Sequence, residues 1–277
     1  MLRTSLKTAV AAGVLAVLAT PALAQSSSYT PTGFWDNYIA GGWSLELGAT
    51  AAMGPKYEGA KDFSFLPSPI VSLSRQGKGP AFTSRNDNPG LGLLDNGFLR
   101  IGPVGKILFE RDGSTDDDLK GLKPVRWGGE LGIFADIYPT EWLRLRAELR
   151  HGIRSHHGLV ADIAADAFYD IAPDWRISGG PRVSLATRSY FDAYYGVNLQ
   201  ESLASGLSPY SPGGGLKSVG VGGALTWKTT DKITTSAFAE YSRLTGPASK
   251  SSLVKERGSP NQFTIGVSAS YRFDFNL

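Results

Sequence analysis

One stretch of the chain, residues 263–277, reads Phe263-Thr-Ile265-Gly-Val267-Ser-Ala269-Ser-Tyr271-Arg-Phe273-Asp-Phe275-Asn-Leu277. Every odd-numbered residue in it is apolar, whereas every even-numbered residue is small or polar. Because successive side chains of a β-strand point to opposite faces, the stretch predicts a strand with one wholly apolar side. A strand of a soluble sandwich could show this alternation too. The density of aromatic residues favours the closing strand of an outer-membrane β-barrel, whose apolar band faces lipid and whose polar face lines the lumen.

The same alternation predicts ten further strands, and Pro67 and Pro69 make the second of them irregular or edge-like, because proline lacks the amide hydrogen of a sheet ladder. These strands cover residues 43–53, 63–73, 79–85, 99–109, 127–137, 143–153, 159–171, 175–185, 219–227 and 233–241. Bacterial single-chain barrels have even strand numbers, so either residues 188–215 hide a strand or Gly102-Pro103 divides one. We predict an all-β fold, a closed antiparallel transmembrane β-barrel of about twelve strands, with ten as the next choice.

The chain is predicted to have three parts. Residues 1–24 are predicted to be a Sec-type signal peptide, because a positively charged start precedes an apolar run too short to span a bilayer, and Ala22-Leu23-Ala24 fits the cleavage rule. Residues 25–40 are predicted to be a flexible periplasmic leader, and residues 41–277 the outer-membrane β-barrel. The predicted location is the outer membrane of a Gram-negative cell.

The composition excludes several kinds of site and partner. The chain has no cysteine, which excludes disulfides and thiolate metal sites. Of its 28 Lys and Arg residues two lie in the predicted signal peptide, and it has 25 Asp and Glu residues, so the mature net charge is 28 − 2 − 25 = +1. A nearly neutral chain lacks the basic footprint of a nucleic-acid partner. We expect no nucleic acid and no cofactor.

Three successive predicted strands carry charge on their polar phase. If residues 143–153, 159–171 and 175–185 are neighbours, these charges point into the lumen and opposite charges face one another, each pair contributing roughly 0.2–1 kcal/mol. Two interpretations stay open: a structural ladder that rigidifies a narrow pore, or a ladder that tunes selectivity or binds substrate. The residues of this predicted lumen charge ladder are Arg144, Arg146, Glu148, Arg150, Asp162, Asp166, Asp170, Arg176 and Arg182.

Residues with catalytic or metal-binding chemistry are few. Adjacent strand residues point to opposite faces, so we expect His156 and His157 to lie in an exposed turn and not to hold a metal. Asp116-Asp117-Asp118 lacks EF-hand spacing and is expected to be a solvated loop tip. Ser155 precedes His156, but no third catalytic group can be placed beside them, so we predict no enzymatic activity. Gly213-Gly214-Gly215 lacks P-loop spacing and is expected to lie in a flexible loop.

The predicted strands are joined alternately by short turns and by long connections. The long connections are residues 112–124, 188–215 and 244–261, as expected of outer loops opposite short periplasmic turns. Residues 198–204 are expected to form one or two helical turns within the second of them. Loops 112–124 and 188–215 are also candidates for an outer binding surface.

Several local strings resemble the MltA-interacting protein (MipA/OmpV) family of outer-membrane proteins, in agreement with the barrel prediction. The strings are Pro55-Lys-Tyr57-Glu-Gly59-Ala, Glu130-Leu-Gly132-Ile-Phe134, Ser189-Tyr-Phe191-Asp-Ala-Tyr-Tyr195-Gly196-Val197, Ser205-Gly-Leu-Ser-Pro-Tyr210, Gly213-Gly-Gly215-Leu-Lys217, Tyr241-Ser-Arg-Leu244 and Tyr271-Arg-Phe273. The matched family-motif residues are Pro55, Tyr57, Gly59, Tyr195, Gly196, Tyr210 and Gly215. The expected barrel-assembly signal is Tyr271, Phe273, Phe275 and Leu277, and it departs from the usual pattern because Leu277 stands where barrels usually have an aromatic residue.

The resemblance implies a non-enzymatic role. The family's namesake is a scaffold that links a murein lytic transglycosylase to a penicillin-binding peptidoglycan synthase, so the resemblance implies these two partners, besides outer-membrane lipid and lipopolysaccharide. The alternatives are a small-solute or cation channel, which the charged inner face motivates, and a surface adhesin that uses the outer loops.

Overall fold

The structure is a computed structural model that describes residues 41–75, 82–84 and 87–276. The predicted signal peptide (1–24), the predicted leader (25–40), Leu277 and most of the predicted strand 79–85 lie outside the described residues. None of the helices in the described part of the chain has both the length and the apolar character needed to cross a bilayer.

The described residues form one all-β sheet of eleven strands. The strands are β1 Gly42–Pro55, β2 Phe63–Arg75, β3 Leu94–Asp95, β4 Leu99–Leu108, β5 Gly128–Thr140, β6 Leu143–Ile153, β7 Leu159–Ala172, β8 Trp175–Ala186, β9 Gly215–Lys228, β10 Ile233–Leu244 and β11 Asn261–Asn276. Their order across the sheet is β2-β1-β11-β10-β9-β8-β7-β6-β5-β4-β3. Every paired strand is antiparallel to its neighbours. The first and last long strands therefore pair with each other, as closure of a barrel requires.

The two ends of the sheet differ in the length of their connections. Residues 96–98, 141–142, 173–174 and 229–232 form tight turns at one end, which we call the turn end. The other end, the loop end, carries residues 56–62, 109–127, 154–158, 187–214 and 245–260. Its helices are α1 Arg188–Tyr195, α2 Leu199–Ser205 and α3 Gly246–Lys250, with a 3-10 turn at Asp117–Leu119 and a π-helical turn at Leu253–Arg257. The predicted helical turns at 198–204 are thus present.

The two faces of the sheet are inverted relative to a soluble protein. Along β6 the side chains of Arg144 and Arg150 are each 1% exposed, whereas Leu149, which points to the other face, is 48% exposed. Along β11 Val267 is 57% exposed and Ser270 is buried. Large apolar side chains on the outer face and charges on the inner face are the pattern of a wall that lies between lipid and a polar lumen.

The two edges of the sheet, β2 and β3, differ from the predicted arrangement. The predicted strand at 79–85 is wrong for its described residues, because residues 82–84 have no strand structure; the extra strand is β3. The Gly102-Pro103 break does not divide β4, which runs unbroken from Leu99 to Leu108. The strand count within the described residues is thus eleven, not twelve or ten. The edge-like character predicted from Pro67 and Pro69 is confirmed, since β2 pairs on one side alone.

The chain between β2 and β3 returns to the same end of the sheet before β3 begins. β2 ends at the turn end, and residues 89–93 then run antiparallel to β4, with the Leu91 amide donating to the Pro103 carbonyl at 3.0 Å. A Cβ on Gly102 would lie 1.7 Å from the Leu91 carbonyl oxygen, so glycine permits this close approach. An isolated parallel bridge links Leu91 to Leu73 of β2. β2 and the segment beside β4 therefore meet at this one bridge, in the parallel sense.

Candidate functional site

The inner faces of β4–β8 carry a dense set of charges that we call the charged wall. Besides Lys106 of β4, it contains six arginines and six carboxylates. They are Arg100, Arg144, Arg146, Arg150, Arg176, Arg182, Glu130, Asp136, Glu148, Asp162, Asp166 and Asp170. Arginine and carboxylate side chains are seldom buried unless they are paired, so the balance of charge explains how this wall can lie inside the protein.

Arg144 lies at the centre of the charged wall. Its Nη2 donates to Asp166 on the neighbouring strand at 2.6 Å, and its guanidinium also binds both carboxylate oxygens of Asp87. Asp166 in turn accepts from Arg182 of β8. One buried guanidinium thus joins two strands to a residue that lies outside the sheet.

A second group of ion pairs lies nearer the loop end. Arg150 donates to Glu130 at 2.7 Å and also binds Glu148 and Asp162. The predicted ladder needs correction here, because the register places Glu148 directly opposite Asp162, which has the same charge. Arg150 bridges the two carboxylates, which a simple alternation of opposite charges does not predict. Opposite charges do face each other at the Arg144–Asp166 position of the β6–β7 register.

At the turn end the ladder is more exposed. Arg176 lies opposite Asp170 in the register and donates to it at 2.6 Å through Nε. The Asp170 side chain is 56% exposed and that of Arg176 is 26% exposed. An ion pair this exposed contributes at most about 1 kcal/mol.

Side chains from the chain segment between β2 and β3 pack against the charged wall. Phe82 stacks on the Phe168 ring with centroids 4.6 Å apart, and Asn88 donates to Glu148 at 2.7 Å. Phe82 is buried. Sequence reasoning did not place these residues in the lumen, because Phe82 was assigned to the predicted strand 79–85 and Asn88 to the connection that follows it. Glu130 and Asp136 were also missed, although the two-residue alternation of β5 places them on the same phase as Phe134 and could have identified them.

The opposite side of the lumen, formed by β1, β2 and β9–β11, carries short hydroxyl side chains, and we call it the hydroxyl wall. Its inward serines and threonines are Ser44, Thr50, Ser64, Ser68, Ser72, Ser74, Ser218, Thr226, Thr234, Ser236, Ser242, Thr264, Ser268 and Ser270, and Glu46 lies among them. Thr226 and Ser236 bond each other at 2.8 Å across the β9–β10 pair. A cavity of about 400 Å³ lies between the two walls and is lined by Glu148 and Asp162 on one side and Ser242 and Thr264 on the other. Both walls therefore border this polar space in the lumen.

The long connections of the loop end fold into a packed cap, which we define as residues 56–62, 109–127, 187–214 and 245–260. Its apolar side chains, together with three residues at the loop ends of β7, β8 and β10, form two buried clusters. The clusters contain Val160, Ala186, Tyr190, Phe191, Tyr195, Leu244, Ala248 and Val254, and Tyr57, Ala60, Leu119, Val197, Leu207 and Leu253. The expected flexible glycine loop thus belongs to a segment that also contributes buried side chains.

Glu58 ties the cap together. Its carboxylate accepts hydrogen bonds from the hydroxyl groups of Tyr190 and Tyr195 at 2.9 and 2.8 Å, and it lies 3.3 Å from the Lys217 ammonium. Burial acts to raise the pKa of Glu58, but attraction to Lys217 and the two tyrosine hydrogen bonds outweigh burial and lower it. Burial and the Glu58 charge raise the pKa of both tyrosines well above the usual value, so both stay neutral donors.

The family-motif residues, which are far apart in the sequence, lie close to the cap. Gly59 has φ +102° and its amide donates to Gln262 Oε1 at 2.9 Å, and a Cβ there would lie 2.9 Å from Val254. The Tyr210 hydroxyl donates to the Pro247 carbonyl at 2.8 Å. The other motif residues are Pro55 at the end of β1, Tyr57 in the second cluster, Tyr195 and Gly196 at the end of α1, and Gly215 at the start of β9.

Of the candidate catalytic and metal-binding residues, His157 and Asp117 are exposed as expected, whereas His156 and Asp116 are not. His156 is buried, not exposed; its Nδ1 accepts from the Gly158 amide, and its Nε2 lies 3.1 Å from Glu130. Both ring nitrogens are therefore engaged, and the Ser155 hydroxyl makes no hydrogen bond within the described residues. Asp116, expected in a solvated tip, is buried and lies 2.9 Å from the Lys56 ammonium.

The residues of the expected assembly signal lie on β11. Tyr271 and Phe273 point outward, and their ring centroids are 4.6 Å apart. Phe275 is half-buried, and Leu277 lies outside the described residues. The aromatic pair therefore lies on the outer, apolar face near the turn end.

Comparison with known proteins identifies the family. Residues 47–273 match the family described as MltA-interacting protein MipA, and the chain belongs to this family. No curated protein matches the chain.

Solved structures with similarity to the chain include three bacterial surface proteins. Neisserial surface protein A is 11% identical, with a TM-score of 0.29, and covers 84% of this chain and 99% of its own. A bacterial polysaccharide outer membrane secretin is 10% identical, with a TM-score of 0.41 and coverage of 85% and 99%. The NanC porin is 11% identical, with a TM-score of 0.38 and coverage of 83% and 98%. At these TM-scores the similarities carry no argument about function.

Proposed function

We propose that the chain is a non-enzymatic outer-membrane β-barrel of a Gram-negative cell, exported by the signal peptide of residues 1–24, that acts as a scaffold for murein enzymes. The family membership and the apolar outer face of the sheet support the location. The buried position of Arg144 between Asp87 and Asp166 carries the proposal of a filled interior, because it joins the wall to Asp87, a residue that lies outside the sheet. A barrel whose interior is filled is better suited to a scaffold role than to conduction through a wide channel.

In this proposal the barrel is closed by β2 and β3. Around a cylinder with an odd number of strands, one neighbouring pair must run parallel, and the Leu73–Leu91 bridge is parallel. An odd count is unusual but occurs in a mitochondrial barrel of nineteen strands. Because the chain has no cysteine, Leu73→Cys with Leu91→Cys should form a single disulfide under mild oxidation. The control combines Leu73→Cys with Leu203→Cys in α2, and this pair should stay reduced. Equal reactivity of the two pairs contradicts the closure of the barrel by β2 and β3.

Membrane insertion is tested by fractionation. Protein recovered from outer membranes should migrate at a different apparent mass before and after heating, as folded barrels do. Recovery in the soluble periplasmic fraction, without a heat-dependent shift, contradicts the proposed location.

The scaffold role comes from the family name, which records interaction with MltA. The purified barrel should retain a lytic transglycosylase and a penicillin-binding peptidoglycan synthase in a pull-down at physiological salt. The same pull-down with heat-unfolded barrel is the control. Failure to retain either enzyme with folded barrel contradicts the scaffold role.

A narrow polar pore is the second candidate function, and the cavity of about 400 Å³ beside the hydroxyl wall favours it. Planar-bilayer recording distinguishes the two functions. The scaffold proposal expects no steady conductance, because the crossing side chains and the cap occupy the lumen. A steady ion-selective conductance would favour the pore instead.

A further inference from the structure

The loop end carries a cleft of about 710 Å³ whose chemistry is not used by the charged wall or by the packing of the cap. It lies between the β4–β5 connection, the β6–β7 connection and the side of α1. Four cationic side chains line it: Arg111, Lys123, Arg126 and Arg154. Two carboxylates, Asp192 and Glu201, also line it, so the cleft has a formal excess of two positive charges.

These four cations differ from the lysines of the surrounding loops. Lys56, Lys61 and Lys120 each lie within 4 Å of an aspartate. Within the described residues, no carboxylate lies that close to any of the four cations of the cleft. Both oxygens of Glu201 accept backbone amides, from Lys123 at 2.9 Å and from Asn198 at 2.8 Å. None of the four cations therefore forms a close ion pair within the described residues, and the cleft keeps its formal excess of two positive charges.

Arg111 lies at the inner side of this cleft. Its Nη2 donates to the Tyr194 carbonyl, and its guanidinium lies 5.2 Å from the Tyr194 ring centroid. Its buried Nη1 has no hydrogen-bond partner within the described residues. A buried guanidinium nitrogen without an acceptor is costly, and an anion in the cleft is the kind of group that could supply one.

Arg154 is held in a strained backbone conformation. Its φ of +75° is the one positive φ of a non-glycine residue in the described ranges, and the Ser155 amide donates to the Ile153 carbonyl across it at 3.0 Å. This combination is a γ-turn of the rare, strained form. Strained backbone conformations of this kind cluster at functional sites, including sites that hold a ligand. Here it places the guanidinium 4.1 Å from the centre of the Trp127 ring.

Trp127 indicates the depth of the cleft in the membrane. It is 56% exposed on the outer, apolar phase of the sheet, immediately before β5 begins at the loop end. Exposed tryptophans of transmembrane barrels lie at the membrane–water interface, at the level of the lipid head groups. Arg154, stacked on this ring, therefore lies at head-group level, where phosphate groups are concentrated.

We propose that this cationic cleft binds the phosphate groups of phosphorylated glycolipid head groups in the outer leaflet. The assignment to lipid, as opposed to free phosphate, rests on the proposed outer-membrane location and on the level of Trp127. Arginine suits this role because its planar fork binds phosphate oxygens in pairs and stays charged at all physiological pH values.

The test compares three probes on full-length protein purified in a neutral detergent. The probes are bis-phosphorylated lipid A, chemically dephosphorylated lipid A and inorganic pyrophosphate. We expect wild-type protein to bind the bis-phosphorylated form at least about tenfold more tightly than either other probe, with an affinity that falls as salt rises. Equal affinity for the phosphorylated and dephosphorylated lipids overturns the proposal. Pyrophosphate binding as tight as that of lipid A overturns the assignment to lipid.

Arg154→Gly separates binding from folding. Glycine adopts positive φ without strain, so this variant should be at least as stable as wild type but should bind bis-phosphorylated lipid A about tenfold more weakly. Lys255→Gln removes an exposed cation of the cap that does not line the cleft and should bind as wild type does. Unchanged binding by Arg154→Gly overturns the proposal. Because binding is measured in detergent, it can succeed even if the fractionation test of the outer-membrane location fails.

Discussion

The charged wall and the hydroxyl wall line the same lumen but fill it in different ways. Arg144 and Asp166 of the charged wall are almost completely buried, with every charge compensated by a neighbour. Ser242 and Thr264 of the hydroxyl wall are short and line the cavity of about 400 Å³. Buried charges are tolerated when they are paired, and breaking one pair leaves an uncompensated charge. The charged wall is therefore a framework, and the hydroxyl wall borders the space that remains.

This difference bears on the two interpretations of the charge ladder. A ladder that selects solutes must present its charges to the lumen. Here Arg144 is paired with Asp87, and Glu148 accepts a hydrogen bond from Asn88. Asp87 and Asn88 both belong to the segment between β2 and β3. The structure therefore favours the structural interpretation for the middle of the ladder.

The largest expected effect tests the two walls directly. Asp166→Ala should lower the free energy of unfolding by about 3–5 kcal/mol, because Arg144 and Arg182 lose a shared carboxylate. Ser268→Ala on the hydroxyl wall should change it by about 0.5 kcal/mol or less. Denaturant titration of protein refolded into lipid vesicles, followed by tryptophan fluorescence, measures both. Similar losses in the two variants would remove the distinction between the walls.

The second effect compares the lumen with the outside of the same strand. Ile163 is 52% exposed on the outer face of β7. Ile163→Arg should cost about 2–4 kcal/mol if this position lies near the middle of the bilayer, because arginine would face lipid. Asp162→Asn, on the lumen side, should cost much less in the same vesicle titration. Equal costs would contradict the assignment of the two faces.

The third effect concerns the bridge between Leu73 of β2 and Leu91, where the hydroxyl wall meets the charged wall. Gly102→Ala should destabilise the protein by about 1–3 kcal/mol, because its Cβ would clash with the Leu91 carbonyl. Gly105→Ala in the same strand is the matched control, since its nearest neighbour is 3.4 Å away. The yield of the Leu73–Leu91 disulfide should fall with the first change alone. A normal yield in Gly102→Ala would show that the close approach is not needed.

The smallest expected effect lies in the cap, above both walls. The pKa of Glu58 is lower in the folded protein than its ordinary value of 4.5, so Glu58 stabilises the fold above that value. This contribution should be lost as pH falls below about 4.5 and through the folded pKa, as Glu58 is protonated. Unfolding titrations between pH 3 and pH 7 should therefore show a weaker pH dependence for Glu58→Gln than for wild type, with Glu256→Gln as the control. Identical pH profiles for Glu58→Gln and wild type would contradict this role.

Most of the strands and their faces could be predicted from the sequence. The alternation of Leu145, Leu149 and Ile153 with charged residues is a local property, and the pleat of a strand converts it directly into two faces. The edge position of β2 followed from Pro67 and Pro69 for a similar reason. The predicted number of twelve was wrong because it followed the rule of even strand numbers, whereas the alternation itself gave eleven stretches. One of these stretches, 79–85, has no strand among its described residues, and β3 was missed because two residues are too few to show any period.

The site was less predictable than the sheet. The alternation placed Arg150 on the polar phase, but it could not show that Arg150 bridges Glu148 and Asp162, because the register decides which charges meet. His156 was expected to be exposed, and its burial depends on α1, where Tyr190 and Tyr194 lie against its ring.

The sequence by itself determined that this chain forms strands with an apolar face and a polar face, and it determined the family. The tertiary structure alone decided that Asp87 binds Arg144, which is 57 residues away, that Leu91 forms a parallel bridge with Leu73 of β2, and that the motif residues lie in or beside the cap. Periodicity follows from the geometry of neighbouring residues along one strand. Contacts across a lumen depend on the path of the chain between strands that are distant in sequence, and local patterns carry no record of that path.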